Sequence, residues 1–575
     1  MKSKFGNMMK RNLLNIFLLI LIAADLFSQE QDLKREVTLY NPFIPSLSDF
    51  RKKSFLPVIR DTNVVRPEFT YTVNTNPYSP EYTISPIKAA AIVPDPLEKL
   101  YKSHVNLGLG NYFAPLAEIS VTNERSREGT YGLYAKHYST HGKVKLQNDK
   151  RVFAGYMDNE VSLFGKKFFH DNYLEGSIDY FQKTRHAYGY DTSIVAYEPE
   201  KKDIRIPYSK IGANLSFASM TLDSSDFSYD FDVAYNYFFS DRNMSQNSLG
   251  IAGYMAKTYL DLYMGAGLEM DFYRPSAEIS RLGRYVVALS PFISKSSAQW
   301  SFKLGIQLLL DRDTASTVRF RFYPDAGMAF SIVPSYIDFF ARLSGKLEKN
   351  TPERIIEENP FLLRNGSLFA LPNTSHRLVL SGGLKGNTGM GGNYVLSASY
   401  SMIQDMLFYA NLVDDGPLPE PMPGNYFLPL PDDVELFNLH AGMNGIIGDK
   451  ISYSGSANYY SYRPGTHEYP WGKQPWDAQV GVKYNLRNKI IAGIELTSLG
   501  KRRFVVDRSN MSIPQEDYVF TSPVLVSSNL SAEYRYTKIL SLWARINNID
   551  FSRNYDWAYY PTQRYMFMIG LTYSL

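Results

Sequence analysis

The sequence contains no cysteine, and its 575 residues include only 5 tryptophans and 8 histidines. A chain without cysteine has no disulfide, no thiolate metal site and no cysteine nucleophile. Its 61 lysines and arginines nearly balance 57 aspartates and glutamates, and no basic run stands out. Nucleic-acid binding is therefore not indicated. Beyond the N-terminus, no apolar run reaches the roughly 20 residues that a membrane-spanning helix needs.

The N-terminus has the pattern of an export signal. Basic residues up to Arg11 precede an apolar stretch from Leu13 to Ala24, and Ser28 offers a small residue for cleavage. An uncleaved anchor is the alternative, but the stretch is short for a spanning helix. We predict that residues 1–28 are a cleaved signal peptide. Because no cysteine follows, lipoprotein processing is not expected.

What the chain has in quantity is aromatic residues, with 44 tyrosines and 35 phenylalanines, in segments that alternate at period two. From Phe227 to Ser240, seven apolar residues occupy every second position, and mostly polar ones lie between them. Successive side chains of a strand point to opposite faces, so this pattern predicts a strand with one apolar face. The last strand shows the same pattern, and we predict that it closes the sheet. Its apolar face is Tyr565, Phe567, Ile569, Leu571, Tyr573 and Leu575.

Short and long links between these segments alternate from about residue 104 to the end. A soluble β-sandwich would not show this alternation, whereas an up-and-down barrel with tight periplasmic turns and long outer loops requires it. The predicted fold class is therefore all-β: a transmembrane antiparallel up-and-down β-barrel of about 22 strands. Its exterior would contact outer-membrane lipid. An even strand count would put the start of the first strand and the end of the last strand both in the periplasm.

Residues 29–100 differ from the rest, because nine prolines from Pro42 to Pro96 interrupt any long element. We predict a short proline-rich periplasmic segment, which would act as a partial plug or dock a partner. Residues 101–575 would form the outer-membrane barrel. Two long links are unusual: 411–433 contains six prolines, and 349–373 is apolar enough to fold into the lumen or against a partner. Either could contact a surface lipoprotein.

The predicted strand number, the N-terminal segment and the closing hairpin resemble the barrel of a TonB-dependent receptor. In that family the last hairpin commonly carries an Asn-apolar turn, a Tyr, then Arg before an aromatic strand and Gly. The corresponding residues here are Asn548, Ile549, Tyr555, Arg564 and Gly570, although Asp550 directly follows Ile549. The stretches 322–325, 359–361 and 499–503 are similar to barrel-only relatives of the Bacteroidota type.

The resemblance implies a transporter, with one departure. Family transporters close their lumen with a folded plug of roughly 150 residues, which the segment before the barrel is too short to form. The resemblance also implies a TonB box, a short segment that adds a strand to its energising partner. Residues 30–100 would then hold the site for TonB or another periplasmic partner. The candidate residues are Glu36, Val37, Thr38, Leu39 and Tyr40.

No catalytic, cofactor or metal site is predicted. His137 and His141 are four residues apart, but a strand-to-loop segment does not bring them together as a helix would. Lumen acids such as Asp230 and Asp232 are explained as solvated interior residues. The sequence thus leaves two main functions open, with an enzyme a distant third. One is passage of a bulky solute through a gated lumen, and the other is a non-transporting scaffold for an assembly, biogenesis or secretion complex.

Overall fold

The computed structural model describes residues 101–123, 126–146, 149–190, 200–220, 227–241, 243–313, 317–363, 366–389, 391–413, 425–507, 518–549 and 553–575. Residues 1–100, which include the predicted signal peptide and TonB box, lie outside this part of the chain. No helix among the described residues is long and apolar enough to cross a membrane.

The described residues form 28 strands, one α-helix, α1 (Pro352–Glu358), and a short 3₁₀ helix (Gly366–Phe369). In chain order the strands are β1 (Ser103–Gly110), β2 (Ala114–Thr122), β3 (Gly129–Thr140), β4 (Lys143–Lys145), β5 (Arg151–Phe153), β6 (Tyr156–Phe168), β7 (Asn172–His186), β8 (Arg205–Ser219), β9 (Ser228–Ser240), β10 (Ser245–Tyr259), β11 (Leu262–Pro275), β12 (Arg284–Ser296), β13 (Trp300–Arg312), β14 (Val318–Val333), β15 (Ile337–Glu348), β16 (Thr374–Asn387), β17 (Gly392–Val413), β18 (Asn425–Ile447), β19 (Ile451–Pro464), β20 (Trp476–Leu486), β21 (Ile490–Leu499), β22 (Arg503–Asp507), β23 (Tyr518–Thr521), β24 (Leu525–Arg535), β25 (Leu540–Asn547), β26 (Tyr555–Trp557), β27 (Tyr560–Pro561) and β28 (Met566–Ser574).

Twenty-two of these strands form the wall of one closed antiparallel barrel, which confirms the predicted fold class. The other six form three hairpins within connections: β4–β5, β22–β23 and β26–β27. The barrel closes where β28 pairs with β1, from His104 opposite Ser574 to Gly110 opposite Met568. Closure leaves no unpaired sheet edge, which is the condition for a sheet to cross lipid.

The alternation in the sequence separates the outer face of the wall from its lumen. On β9, Phe231, Val233 and Tyr235 are exposed on the outside, and Asp230, Asp232 and Asn236 fall on the other face. Exposed large apolar side chains recur in this way around the barrel. A continuous apolar surface of this extent is far larger than soluble monomers expose, so it is the surface that lipid covers.

The two ends of the barrel differ. At one end the connections are tight, such as the two-residue turn Leu260–Asp261 and the turn at 487–489, where Arg487 and Asn488 have positive φ. Such turns match the twist of paired strands. The first and last wall strands also start and finish at this end, where Ser103 and Leu575 exchange backbone hydrogen bonds of 2.9 Å. The described parts of the long connections, including those of 349–373 and 500–524, lie at the opposite end.

Candidate functional site

The long connections fold together into a single hydrophobic cluster at their end of the barrel, which we call the cap. Its buried members come from six separate connections and from the rim of the neighbouring strands. They are Ala187, Ile204, Ile206, Tyr208, Phe238, Met244, Ile279, Ile355, Ile356, Phe361, Leu362, Phe369, Leu407, Tyr409, Phe427, Phe504, Val506, Ala558, Tyr559 and Tyr560. Residues this far apart in sequence can share one apolar core only if the connections meet over the lumen.

Aromatic rings form the centre of the cap. The rings of Phe361 and Tyr560 stack with their centroids 3.8 Å apart, and Tyr188 meets Tyr560 edge-on at 5.2 Å. A further pair in the same cluster is Phe427 and Trp557, whose ring centroids are 5.1 Å apart. Such pairs add about 0.5–1.5 kcal/mol each beyond the area they bury. These five residues come from four connections, so their contacts hold the connections to one another.

The proline-rich link predicted at 411–433 is in part a strand, which corrects the sequence interpretation. β17 and β18 remain paired beyond the wall, as far as Val413 opposite Asn425, and residues 414–424 lie outside the described part. Pro429 and Pro431 fit here because β19 pairs with β18 only from Val434 onward, so their missing N–H groups cost no ladder bond. This ribbon supplies Leu407, Tyr409 and Phe427 to the cap.

The connection 349–373, which we call the cap loop, is fixed at its base by hydrogen bonds. Asn350 is fully buried; its side-chain amide donates to the Pro372 carbonyl at 2.6 Å, and its backbone N–H donates to Asn373 at 3.0 Å. Asn373 in turn donates to Asp311 of β13 at 2.9 Å. The Arg284 guanidinium donates to the Asn350 carbonyl at 3.1 Å. The two ends of the cap loop are therefore tied to each other and to the wall.

Within the cap loop, local sequence produces helix α1. Thr351 is its N-cap, and its hydroxyl accepts a hydrogen bond from the backbone N–H of Arg354 at 3.3 Å. Pro352 follows at the first helical position and Glu353 lies in the first turn, both favourable there. The helix buries Ile355 and Ile356 in the cap, so its acidic residues are left on the faces that look toward the wall and the neighbouring connections.

Those acidic residues form three ion pairs, which we call the latch. Glu353 pairs with Lys210 of β8 at 2.6 Å, and Glu357 pairs with Lys183 of β7 at 3.0 Å. The third pair joins Glu358 to Lys473 of the 465–475 connection at 2.7 Å. The cap loop leaves the wall at β15, seven strands from β8 in a 22-strand barrel. The latch therefore holds the cap loop across the lumen.

A cavity of about 1050 Å³ lies beneath the cap, between Tyr188, Phe361 and Trp557 above and the lumen face of the wall. Its charged lining residues are balanced in sign: Glu118, Asp158, Glu160, Glu358 and Asp556 against Lys136, Lys183, Arg185, Arg502 and Arg545. Some are paired directly, as in Arg185–Asp158 at 2.6 Å and Lys136–Glu118 at 3.4 Å. The cavity thus suits a polar solute without a large net charge.

Two charged groups of the cap, Asp556 and Arg502, face this cavity. More than a third of the Asp556 side chain is exposed at the cavity. Partial loss of hydration raises the pKa of Asp556, and the nearby Arg502 guanidinium opposes that rise. Loss of hydration likewise lowers the pKa of Arg502. Both groups therefore offer a polar solute in the cavity a charged hydrogen-bond partner.

The residues singled out in the sequence lie in several places. Tyr565 precedes β28, and the other five apolar residues of the last stretch lie in or directly after it; Ile569, Leu571 and Leu575 are exposed on the outer face. Glu36–Tyr40 lie outside the described residues. The Nδ1 of His137 donates to the side-chain oxygen of Asn159 at 2.6 Å, an ordinary polar contact. No cluster of three or more potential metal ligands occurs in the described ranges.

Sequence reasoning missed the latch. Lys183, Lys210 and Lys473 give no local signal, because each is one lysine within an alternating or polar stretch. The helix, in contrast, could have been found. Thr351-Pro352 followed by acidic and apolar residues is a helix N-terminus signature.

No family model and no curated protein matches this sequence. Solved structures do resemble it. The pyoverdine outer membrane receptor FpvA from Pseudomonas aeruginosa PAO1 aligns with a TM-score of 0.60 at 11% identity, over 84% of this chain and 79% of FpvA. The FrpB iron transporter from Neisseria meningitidis aligns with a TM-score of 0.61 at 10% identity, over 83% of this chain and 82% of FrpB. The copper transporter OprC aligns with a TM-score of 0.58 at 12% identity, over 83% of this chain and 81% of OprC. At this identity the likeness shows the fold alone.

Proposed function

We propose that this protein is a transport-class barrel of the outer membrane that passes a bulky solute through a lumen gated by the cap. The apolar exterior of the closed wall supports the membrane location. The fold likeness to proteins described as a pyoverdine receptor, an iron transporter and a copper transporter supports the transport class. The proposed action rests on pore geometry.

We propose the arrangement that follows from this location. Residues 1–28 would direct export, residues 29–100 would lie in the periplasm, and residues 101–575 would form the barrel with its long connections outside. Glu36–Tyr40 would be the segment that meets TonB or another periplasmic partner. The outer face of the cap would be the surface available to a lipoprotein.

The observation that carries the proposal is the way the cap loop is held. Its base is fixed, and across the lumen it is held by the apolar contacts of the cap together with three ion pairs. The side chains of these ion pairs are between about a fifth and a half exposed. Partly exposed ion pairs contribute only about 0–1 kcal/mol each, because water can replace either partner. The electrostatic part of this closure is therefore reversible at small cost, while the apolar contacts keep the cap loop folded.

Neutralising the latch is expected to open the lumen. The variant Glu353→Gln/Glu357→Gln/Glu358→Gln removes all three charge pairs, and it should raise the open probability in planar lipid bilayers about tenfold or more. Higher salt should act in the same direction on the unmodified protein, since the Debye length falls from about 10 Å at 0.1 M to about 3 Å at 1 M.

The matched control removes the same charge from exposed residues of the long connections, Glu200→Gln/Glu278→Gln/Glu468→Gln. This variant should behave like the unmodified protein. If the latch variant stays as silent as the control at both salt concentrations, the gate proposal is wrong.

A second candidate, the non-transporting scaffold, is favoured by one specific observation. The cap has its own aromatic core and a hydrogen-bonded base, which is what a permanently folded structure would have. In that case the cap would be a rigid docking surface. The two functions separate in the same bilayer experiment, because a scaffold stays closed when the latch is neutralised.

A further inference from the structure

A groove of about 670 Å³ lies on the outside of the barrel, beside the cap, where β9–β13 meet the 276–283 connection. Four arginines line it. Arg284 is buried and already donates to the Asn350 carbonyl of the cap loop. The other three are Arg274 at the end of β11, Arg281 in the connection and Arg312 at the end of β13, and they lie at the end of the barrel that carries the long connections. The groove is thus at the outer boundary of the lipid-facing belt.

The strand alternation shows that the groove faces outward. On β11 the exposed side chains are Leu268 and Phe272, so Arg274 continues the same outer face. Phe272 pairs with Tyr285, and Tyr285 pairs with Arg312, so these three side chains follow one another across three neighbouring strands. The Arg312 guanidinium lies 6.0 Å from the centre of the Tyr285 ring.

The charge of the groove has one sign. None of the described residues that line it is an aspartate or a glutamate. Arg274 and Arg281 are exposed, and among the described residues neither forms a salt bridge. Arginine has a planar donor fork that fits phosphate oxygens in pairs, so a cluster of this kind favours a phosphate group.

Directly below the arginines the groove becomes apolar. Leu249 and Phe272, which are paired on neighbouring strands, line it with exposed fractions of 37% and 42% and are continuous with the apolar belt of the wall. Leu282 of the connection, next to Arg281, adds a third apolar side chain, 39% exposed. The Tyr235 hydroxyl donates to Asn247 at 2.6 Å at the same boundary, as tyrosines do where lipid meets water. A ligand that fills the whole groove must therefore carry an anionic head above and hydrocarbon chains below.

We propose that this groove binds the phosphorylated headgroup of an outer-leaflet lipid, with Arg274, Arg281 and Arg312 on the phosphate and the acyl chains along Leu249 and Phe272. The inference rests on the proposed outer-membrane location, but it does not depend on gating. The bound lipid would fix the height of the barrel in the membrane beside the cap.

Native mass spectrometry of the detergent-solubilised protein tests this, with phosphorylated lipid A as the probe. The unmodified protein should bind lipid A and should bind its fully dephosphorylated form far more weakly. Arg274→Gln/Arg281→Gln/Arg312→Gln should lower lipid A affinity on the order of 100-fold, and Arg281→Glu, in an exposed connection, should lower it about tenfold. Lys257→Gln, an exposed cation at the other end of β10, should have no effect.

Equal binding of the phosphorylated and dephosphorylated lipids, or unchanged binding by both arginine variants, would overturn the inference. Inorganic phosphate should compete only weakly at millimolar concentration; full displacement would mean a free-anion site and would also overturn it. The bilayer conductance of the arginine variants should equal that of the unmodified protein. Failure of the lipid site and failure of the gate are therefore separate results.

Discussion

Replacing Trp543 by alanine is expected to lower the free energy of unfolding by about 3–5 kcal/mol, the usual cost of removing a buried tryptophan. Trp543 lies on the lumen face of β25, next to the seam where β28 meets β1, and is 7% exposed. Its indole N–H donates to Asn106 of β1 at 2.7 Å. The ring lies over Gly570 and Gly108, which are paired across the seam. One side chain thus links three strands at the closure.

A double-mutant cycle isolates this contact. A methyl group at Gly108 would come within 2.5 Å of the Trp543 ring, and its next neighbour, the Ile569 carbonyl oxygen, is at 3.4 Å. Gly108→Ala should therefore cost about 1–3 kcal/mol in the unmodified protein, and close to nothing when Trp543 is alanine. Both costs of Gly108→Ala can be measured by denaturant unfolding in detergent, with the heat-dependent shift in gel mobility as the readout of folded protein. Additive costs would show that Trp543 does not lie on the seam glycines.

Excising the centre of the cap loop is expected to give the largest change in conductance. Replacing residues 352–371 with a short Gly-Ser linker keeps Asn350 and Asn373 at the base, and removes the latch acids together with Ile355, Ile356 and Phe361. The remaining cap loses the residues that fill its middle. Planar bilayers should then show large, persistent openings, whereas the latch variant should open intermittently.

The excised protein must still have an intact wall for this result to count. Its heat-dependent gel mobility should match that of the unmodified protein, because no wall strand is changed. A folded, silent barrel would contradict the role of the cap loop and would favour the scaffold function. Openings of the same size in the unmodified protein would show that the lumen was never closed.

The wall could be predicted from the sequence because the pattern of each strand depends on lipid and water and not on distant residues. Lipid on one side and water on the other impose an apolar residue at every second position of each strand, whatever its partners. The row Phe231, Val233 and Tyr235 therefore identified both a strand and its outer face. The alternation of short and long links then indicated the topology and the strand number.

The cap could be predicted only in part. The apolar character of 349–373 indicated that it folds inward or against a partner, and the structure places it in the cap. Its latch partners were not predictable, since Lys183 and Glu357 are 174 residues apart and meet only when the cap loop crosses the lumen. Local composition was misleading at Pro429 and Pro431. Prolines are typical of loops, but these lie on a free strand edge.

Gly570 was singled out in the sequence, but the reason that a glycine is required there could not be predicted. In the sequence it is the glycine that follows the aromatic residues of the last hairpin. In the structure it is the point where the Trp543 ring and the Leu107 carbonyl come too close for any side chain. That requirement comes from β25 and β1, the latter more than 450 residues earlier in the chain, so the last hairpin alone could not reveal it.

The cap is expected to seal the lumen from the outside, and the labelling of one introduced cysteine tests this seal. The chain has no cysteine of its own, so only the new thiol reacts. Glu160→Cys places it in the cavity beneath the cap, and Lys202→Cys, whose side chain is 77% exposed in a long connection, is the control. On intact cells, a membrane-impermeant maleimide should label Lys202→Cys rapidly, and Glu160→Cys only after residues 352–371 are excised. Equal labelling of Glu160→Cys with and without the cap loop would contradict the account.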